Sequence, residues 1–248
     1  MNSSHQDKKS SRLISFCVQV MLLGLCLTTG KTKSQTLELN DNLINFNSAQ
    51  GEQLLIESQS RQDYLPLSIQ FVTQVNRAYC GVASMVMVLN SLDIPAPEAP
   101  GFGTNRFTQE NFFNSQTEEI RTAETISRRG MTLEQLAALL EVYDVQSEAY
   151  HGEDLTLVEF RNLIVENLRE KNNFVLVNYL RNAIGQERGG HISPVAAYHE
   201  QSDRFLILDV SRYKYPPVWV KAEELWQATT TMDSDSGKTR GLVLVDAL

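Results

Sequence analysis

The chain has 248 residues, of which 42% are hydrophobic and 21% charged, with a formal net charge of −8. That balance excludes global disorder, and 13 glycines with 7 prolines exclude a collagen-like or low-complexity chain. Three cysteines, Cys17, Cys26 and Cys80, are too few for a disulfide scaffold or a cysteine-rich zinc site.

The chain opens on a basic stretch, Lys8, Lys9 and Arg12, followed by an uncharged run from Leu13 to Gly30. A basic segment, an apolar segment and small residues behind them predict a secretory signal peptide over residues 1–35, cut after Gly30 or Ser34. An uncleaved anchor is the alternative, since the uncharged run just reaches the lower limit for a membrane span. A lipoprotein site at Cys26 is disfavoured by the bulky Leu25 before it. The expected location is therefore exported, periplasmic or membrane-associated through this segment. The leader takes five cations and one acid with it, so the net charge of the remainder falls from −8 to −12. So acidic a domain is a poor partner for nucleic acid or an anionic membrane. Cys17 and Cys26 leave with the leader, and Cys80 remains as a single thiol.

Residues 36–59 are polar with scattered apolar positions and predict a surface lead-in to one domain over 60–248. Gly81–Leu92 is apolar almost all round, which predicts a buried helix. Pro95, Pro97 and Pro100 then force a loop. Thr108 opens a short helix, and Thr132…Gln135 and Thr156…Glu159 fit capping boxes, predicting helices near 133–143 and 157–171. The second half is strand-like at 174–180, 191–198, 204–211 and 241–247, with a short helix at 221–229 between the last two. Helices followed by a mostly antiparallel sheet predict an α+β fold of two lobes with a cleft between them.

Cys80 stands where the buried helix begins, and the positive end of a helix favours a thiolate. A nucleophilic thiol needs a base. His5 lies in the leader, His151 reads as a loop tip and His199 falls in a polar turn. His191 follows Gly189-Gly190, which leaves room for a substrate backbone at Gly190, and it starts a strand. The strands 191–198 and 204–211 are joined by a short polar turn, so they pair with partners summing to about 400–402. His191 and Asp209 sum to 400 and should lie within side-chain reach on one face. Asp209 sits in an apolar run, where an unpaired carboxylate is costly. The two make a base and its orienter. For an oxyanion hole, the backbone N–H of Cys80 is one donor and the side-chain amide of Gln74 offers a second. The order Gln, Cys, His, Asp, with the thiol on a helix and the base pair on strands, is that of papain-like cysteine enzymes, with Asp209 where Asn is frequent.

Three segments carry a closer resemblance: Ala78-Tyr79-Cys80-Gly81-Val82-Ala83-Ser84, Gly189-Gly190-His191-Ile192-Ser193-Pro194, and the long run from Ile207 to Val220. They resemble the catalytic domain of phytochelatin synthases over roughly 60–248. The resemblance implies a papain-like fold and glutathione as substrate. It implies Cys80 as nucleophile on the Cys–Gly bond, His191 as acid and base, Asp209 as orienter and Gln74 as oxyanion donor. A γ-Glu-Cys thioester is then resolved by water or by a second glutathione. Carboxylates call for arginine and an ammonium for a carboxylate. The resemblance favours Asn178, Arg181, Asp233 and Arg240, with Gly190, around the γ-Glu-Cys group. No cofactor is implied; the sequence lacks metal-ligand spacing, so metal ions would act through metal–glutathione thiolates. A homodimer is left open. Two other readings use the same residues: a papain-like endopeptidase, against which the Ile207–Val220 match argues, and a non-catalytic thiol-peptide binding module.

Overall fold

The strand-like runs of the second half are apolar at nearly every position rather than at alternate ones, which is the pattern of a sheet covered on both faces. A computed structural model describes residues 36–101 and 103–248, and the expected leader, with Cys17 and Cys26, lies outside the described residues. The strands are β1 (Ile44–Asn45), β2 (Val145–His151), β3 (Asn173–Leu180), β4 (Gly190–His199), β5 (Arg204–Ile207), β6 (Val218–Lys221) and β7 (Gly241–Ala247). They form one antiparallel sheet in the order β1-β6-β5-β4-β3-β7-β2. Seven of the eight side chains of β3 are buried, as two-sided cover requires.

The helices are α1 (Ala49–Glu57), α2 (Tyr64–Ile69), α3 (Cys80–Ser91), α4 (Ser115–Ile120), α5 (Ala123–Arg129), α6 (Leu133–Leu140), α7 (Leu157–Asn167) and α8 (Ala222–Thr229). One core lies between α3 and the sheet. There Val82, Met85, Val86 and Leu89 join Leu176, Ala196, Leu206, Trp219 and Val243. A second core covers the opposite face, where Phe160 and Ile164 of α7 and Leu225 of α8 join Val175, Val177, Val195, Phe205 and Leu242. Full burial of each such side chain is worth about 1.5–3 kcal/mol. The α+β class is as expected, and helices cover both faces: α7 and α8 lie behind the sheet, because β3, β4 and β5 are apolar on both faces.

The capping boxes at Thr132 and Thr156 form as the sequence predicts. Their helices end at Leu140 and Asn167, short of 143 and 171. Thr108 begins only a single turn, closed by the Phe112 N–H on its carbonyl, and the helix starts at Ser115 behind the better cap Asn114. Residues 36–59 are no bare lead-in. They hold β1 and α1, and Trp219 Nε1 donates to the Gly51 carbonyl at 2.9 Å. The strand expected over 204–211 stops at Ile207.

The order β5-β4-β3-β7 positions the site. β3 and β5 run against β4, and β7 runs against β3. The carboxyl ends of β3 and β5 and the amino ends of β4 and β7 therefore share one edge of the sheet. Arg181, Asp209, His191 and Arg240 each lie at or within two residues of those ends.

Candidate active site

α3 is buried through its first ten residues, from Cys80 to Leu89. Tyr79 before it supplies no side-chain cap, so the first-turn N–H groups remain for whatever lies ahead of the helix. Gly81 lets α3 approach closely, since a Cβ there would meet Met131 Sδ at 2.6 Å.

The His191 imidazole and the Ile192 backbone both favour the thiolate of Cys80. His191 Nε2 lies 2.9 Å from Asp209 Oδ1 and 2.9 Å from Ser193 Oγ. With Nε2 so occupied, Nδ1 is the ring nitrogen left for the thiol. The expected His191–Asp209 pair is therefore present although Asp209 lies two residues past β5. A bulge between Val195 and Ala197 carries the register to pairs summing to 402, and Leu208 N–H still bonds the Pro194 carbonyl at 3.1 Å.

Burial opposes the charged form of Cys80, but the hydrogen bond and charge of His191, the Ile192 backbone and Arg181 outweigh it and lower its pKa. Burial also opposes the charged form of His191; Asp209 outweighs it, and the imidazole pKa is raised despite the nearby Arg181. Asp209 is fully buried, which would raise its pKa, yet the charges and hydrogen bonds of His191 and Arg181 hold it well below the usual carboxylate range. The three shifts together favour thiolate, imidazolium and carboxylate in a line.

Arg181 departs from expectation. Its guanidinium is buried, donates to Asp209 at 2.7 and 2.9 Å, bonds Gln186, and lies under the Tyr215 ring at 5.2 Å. It is committed to Asp209 rather than offered to a substrate carboxylate, because that carboxylate has no water to balance its charge. The sequence places Arg181 correctly beside the Gly-Gly-His loop. The buried Asp209 was the signal that two partners, not one, were needed.

Gln74 is buried. Its Nε2 donates to the Asn76 carbonyl at 2.7 Å, and its Oε1 accepts from Ser211 at 2.5 Å. An amide nitrogen has two hydrogens, so one is left over after the Asn76 bond. Asn178, Asp233 and Arg240 come together as expected: Arg240 donates to Asn178 Oδ1 at 3.2 Å and to Asp233 Oδ2 at 3.0 Å. Gly190 makes room for them, since a Cβ there would meet the Arg240 guanidinium at 2.8 Å.

Cys80, His191, Asn178, Gly190, Asp233 and Arg240 line a cavity of about 450 Å³. A second, of about 510 Å³, touches His191, Arg181, Arg188 and Lys214; Arg77 and Gly190 line both. A larger apolar cavity, about 770 Å³ and walled by Val72, Val75 and Phe113, contains none of Cys80, His191 and Asp209. His151 is not a loop tip but the last residue of β2. Its Nδ1 lies 2.6 Å from the Thr239 carbonyl and its Nε2 3.2 Å from Glu134. His199, at the end of β4, lies 2.8 Å from Ser202 Oγ and 3.3 Å from Glu57. Sequence reasoning assigned no role to Ser193, Arg77 or the Glu134–His151 contact. Ser193 lies in the Gly-Gly-His-Ile-Ser-Pro segment, Arg77 counts only once the two cavities are seen to meet beside it, and the Glu134–His151 contact depends on tertiary packing.

A thiol at a helix start, facing an imidazole that a buried carboxylate orients, is the arrangement of cysteine-based acyl transfer. Residues 34–242 match the family described as phytochelatin synthase, and the chain belongs to that family. It is similar to glutathione gamma-glutamylcysteinyltransferase 1 of Lotus japonicus, with 33% identity over 82% of this chain and 40% of the relative. The Arabidopsis thaliana protein of the same name is 32% identical over 82% of this chain and 41% of its own length. That of Schizosaccharomyces pombe is 28% identical over 85% and 50%. The chain thus spans half or less of the length of these relatives. Among solved structures, the peptidase domain of Streptococcus ComA aligns with a TM-score of 0.40 and 16% identity, over 71% of this chain and 97% of that one. A fragment of Prevotella intermedia prointerpain A aligns with a TM-score of 0.40 and 11% identity, over 100% and 86%. A TM-score of 0.40 is too loose a likeness to support an argument.

Proposed function

We propose that the protein acts on glutathione, releasing glycine through a γ-Glu-Cys thioester on Cys80. The observation that carries this is the Cys80–His191–Asp209 line opening into the cavity that holds Asn178, Asp233 and Arg240. Membership of the phytochelatin synthase family supports the choice of substrate. The Cys80 thiolate attacks the carbonyl carbon of the Cys–Gly bond. The resulting oxyanion takes the Cys80 N–H and the remaining Gln74 amide hydrogen. His191 passes the proton on Nδ1 to the glycine nitrogen, the C–N bond breaks, and glycine leaves. Neutral His191, held by Asp209, then takes a proton from water or from the amine of a second glutathione. That nucleophile attacks the thioester and restores the thiolate–imidazolium pair. The products are γ-Glu-Cys or a longer γ-Glu-Cys peptide. Arg240 receives the γ-glutamyl carboxylate, and Asp233 with Asn178 the ammonium, each partner exchanging an internal contact for one to the ligand. Export through residues 1–35 belongs to the same reading; the amino terminus of the mature chain from its native host tests it.

The test incubates the protein with glutathione, with and without Cd²⁺, and follows products by mass. Glycine with γ-Glu-Cys or longer peptides is the expected result, together with a γ-Glu-Cys adduct on the protein that is lost in Cys80→Ala. Absence of every product overturns the reading.

A further inference from the structure

The mechanism requires the leaving amine to lie beside His191, because His191 protonates it. The acyl part fills the cavity holding Cys80 and Asp233, so the leaving residue must point into the second cavity, which touches His191 but not Cys80. Bonds of about 1.5 Å put the carboxylate carbon of a departing glycine only about 2.5 Å from that amine. The wall there is cationic. Arg181 is committed to Asp209, and Lys214 pairs with Glu187 at 2.9 Å. Two cations are left over. Arg77, three residues before Cys80, lines both cavities at their junction, and Arg188 lines the second. Both are exposed, and neither has an ion pair or side-chain hydrogen bond among the described residues. An unpaired guanidinium beside a mobile leaving group is a fork for a carboxylate.

We propose that Arg77, supported by Arg188, binds the free carboxylate of the departing residue and thereby restricts cleavage to the last peptide bond of a short substrate. The inference rests on the proposed acyl-transfer reading and adds to it. A chain continuing past the scissile bond would place a neutral amide where Arg77 takes a charge, and would lose that contact. Arg77 would thus distinguish the carboxyl-terminal bond of a small thiol peptide from an internal bond of a protein.

The experiment measures binding of glutathione and of its glycinamide analogue, which lacks only the carboxylate charge, by calorimetry. The proteins are Cys80→Ala, which cannot turn over, and the double variant Cys80→Ala, Arg77→Gln. Cys80→Ala is expected to bind glutathione about tenfold more tightly than the amide, the difference of one charge-assisted contact. The double variant is expected to bind both about equally, at the affinity of the amide. Equal binding of both ligands by Cys80→Ala, or an equal loss for both ligands on Arg77→Gln, overturns the proposal. Glycine release by the unmodified protein, run in parallel, separates the two readings. Release with no carboxylate preference sinks the Arg77 subsite alone, whereas no release and no binding sink the glutathione reading with it.

Discussion

Cys80 is buried, and burial alone would push its thiol up; the hydrogen bond and charge of His191 bring it down instead. The thiolate should therefore exist at neutral pH only while His191 carries its proton. Alkylation by iodoacetamide is expected to proceed below the pH range of an ordinary thiol, and His191→Gln should move that profile upward. Each displaced pKa unit costs about tenfold in rate at neutral pH. An unchanged profile in His191→Gln would show that the imidazole does not activate the thiol. Glycine release should follow a bell. It falls on the acid side as Cys80 takes a proton at its lowered pKa, and on the alkaline side as His191 loses its proton at its raised one. Behind them, Arg181 and Asp209 are a buried pair, and removing one partner strands the other, at a cost of about 3–5 kcal/mol. Asp209→Asn and Arg181→Met should each lower the urea midpoint, and the double variant should recover part of the loss. Simple additivity of the two losses would mean the ion pair contributes nothing.

The segment between α8 and β7 carries both Asp233 and Arg240, and it is fastened from outside. Arg121 at the end of α4 meets Asp235 at 2.7 Å, Lys238 meets Glu134 of α6 at 2.8 Å, and His151 holds the Thr239 carbonyl. Glu134 is partly buried, which would raise its pKa, but Lys238 and hydrogen bonds hold it down at about 2. A carboxyl depressed in the folded state fastens the segment above its ordinary pKa near 4.5, and the fastening is lost as pH falls toward 2. Glu134→Gln should therefore raise KM for glutathione several-fold at neutral pH and leave kcat and Cys80 alkylation nearly unchanged; a fall in kcat with KM constant would contradict it. Such fastenings were not legible in the sequence, because Glu134, His151 and Lys238 are far apart along it and meet only where β7 lies against β2. What was legible followed local chemistry. The apolar run of α3 and the short turn between β4 and β5 were enough to place Cys80, His191 and Asp209, and the two capping boxes the starts of α6 and α7. The same locality explains the misses. Arg181 reads as a free cation until the carboxylate beside it is known to be buried, and α1 reads as a polar lead-in until Trp219 is found beneath it.

At the scale of the fold, Asp209 and Asp63 are buried carboxyl groups of opposite behaviour. Asp209 is held ionised by Arg181 and His191, so it stabilises the fold above its ordinary pKa, and that contribution fades as acid reprotonates it. Asp63, just ahead of α2, is only 1% exposed, caps no backbone group with its side chain, and leaves Oδ2 without a partner. Burial pushes its pKa up to about 9. The folded state then holds a proton that the unfolded chain releases near pH 4. Stability should decline as pH rises from there to about 9, on top of any self-repulsion from the acidic surface. Asp63→Asn keeps the shape and removes the titration. Its urea midpoint should match that of the natural chain near pH 4.5 and exceed it increasingly toward pH 8, with glycine release intact because Asp63 lines neither catalytic cavity. A constant difference between the two proteins across pH 5–8 would show that Asp63 titrates alike in the folded and unfolded chains.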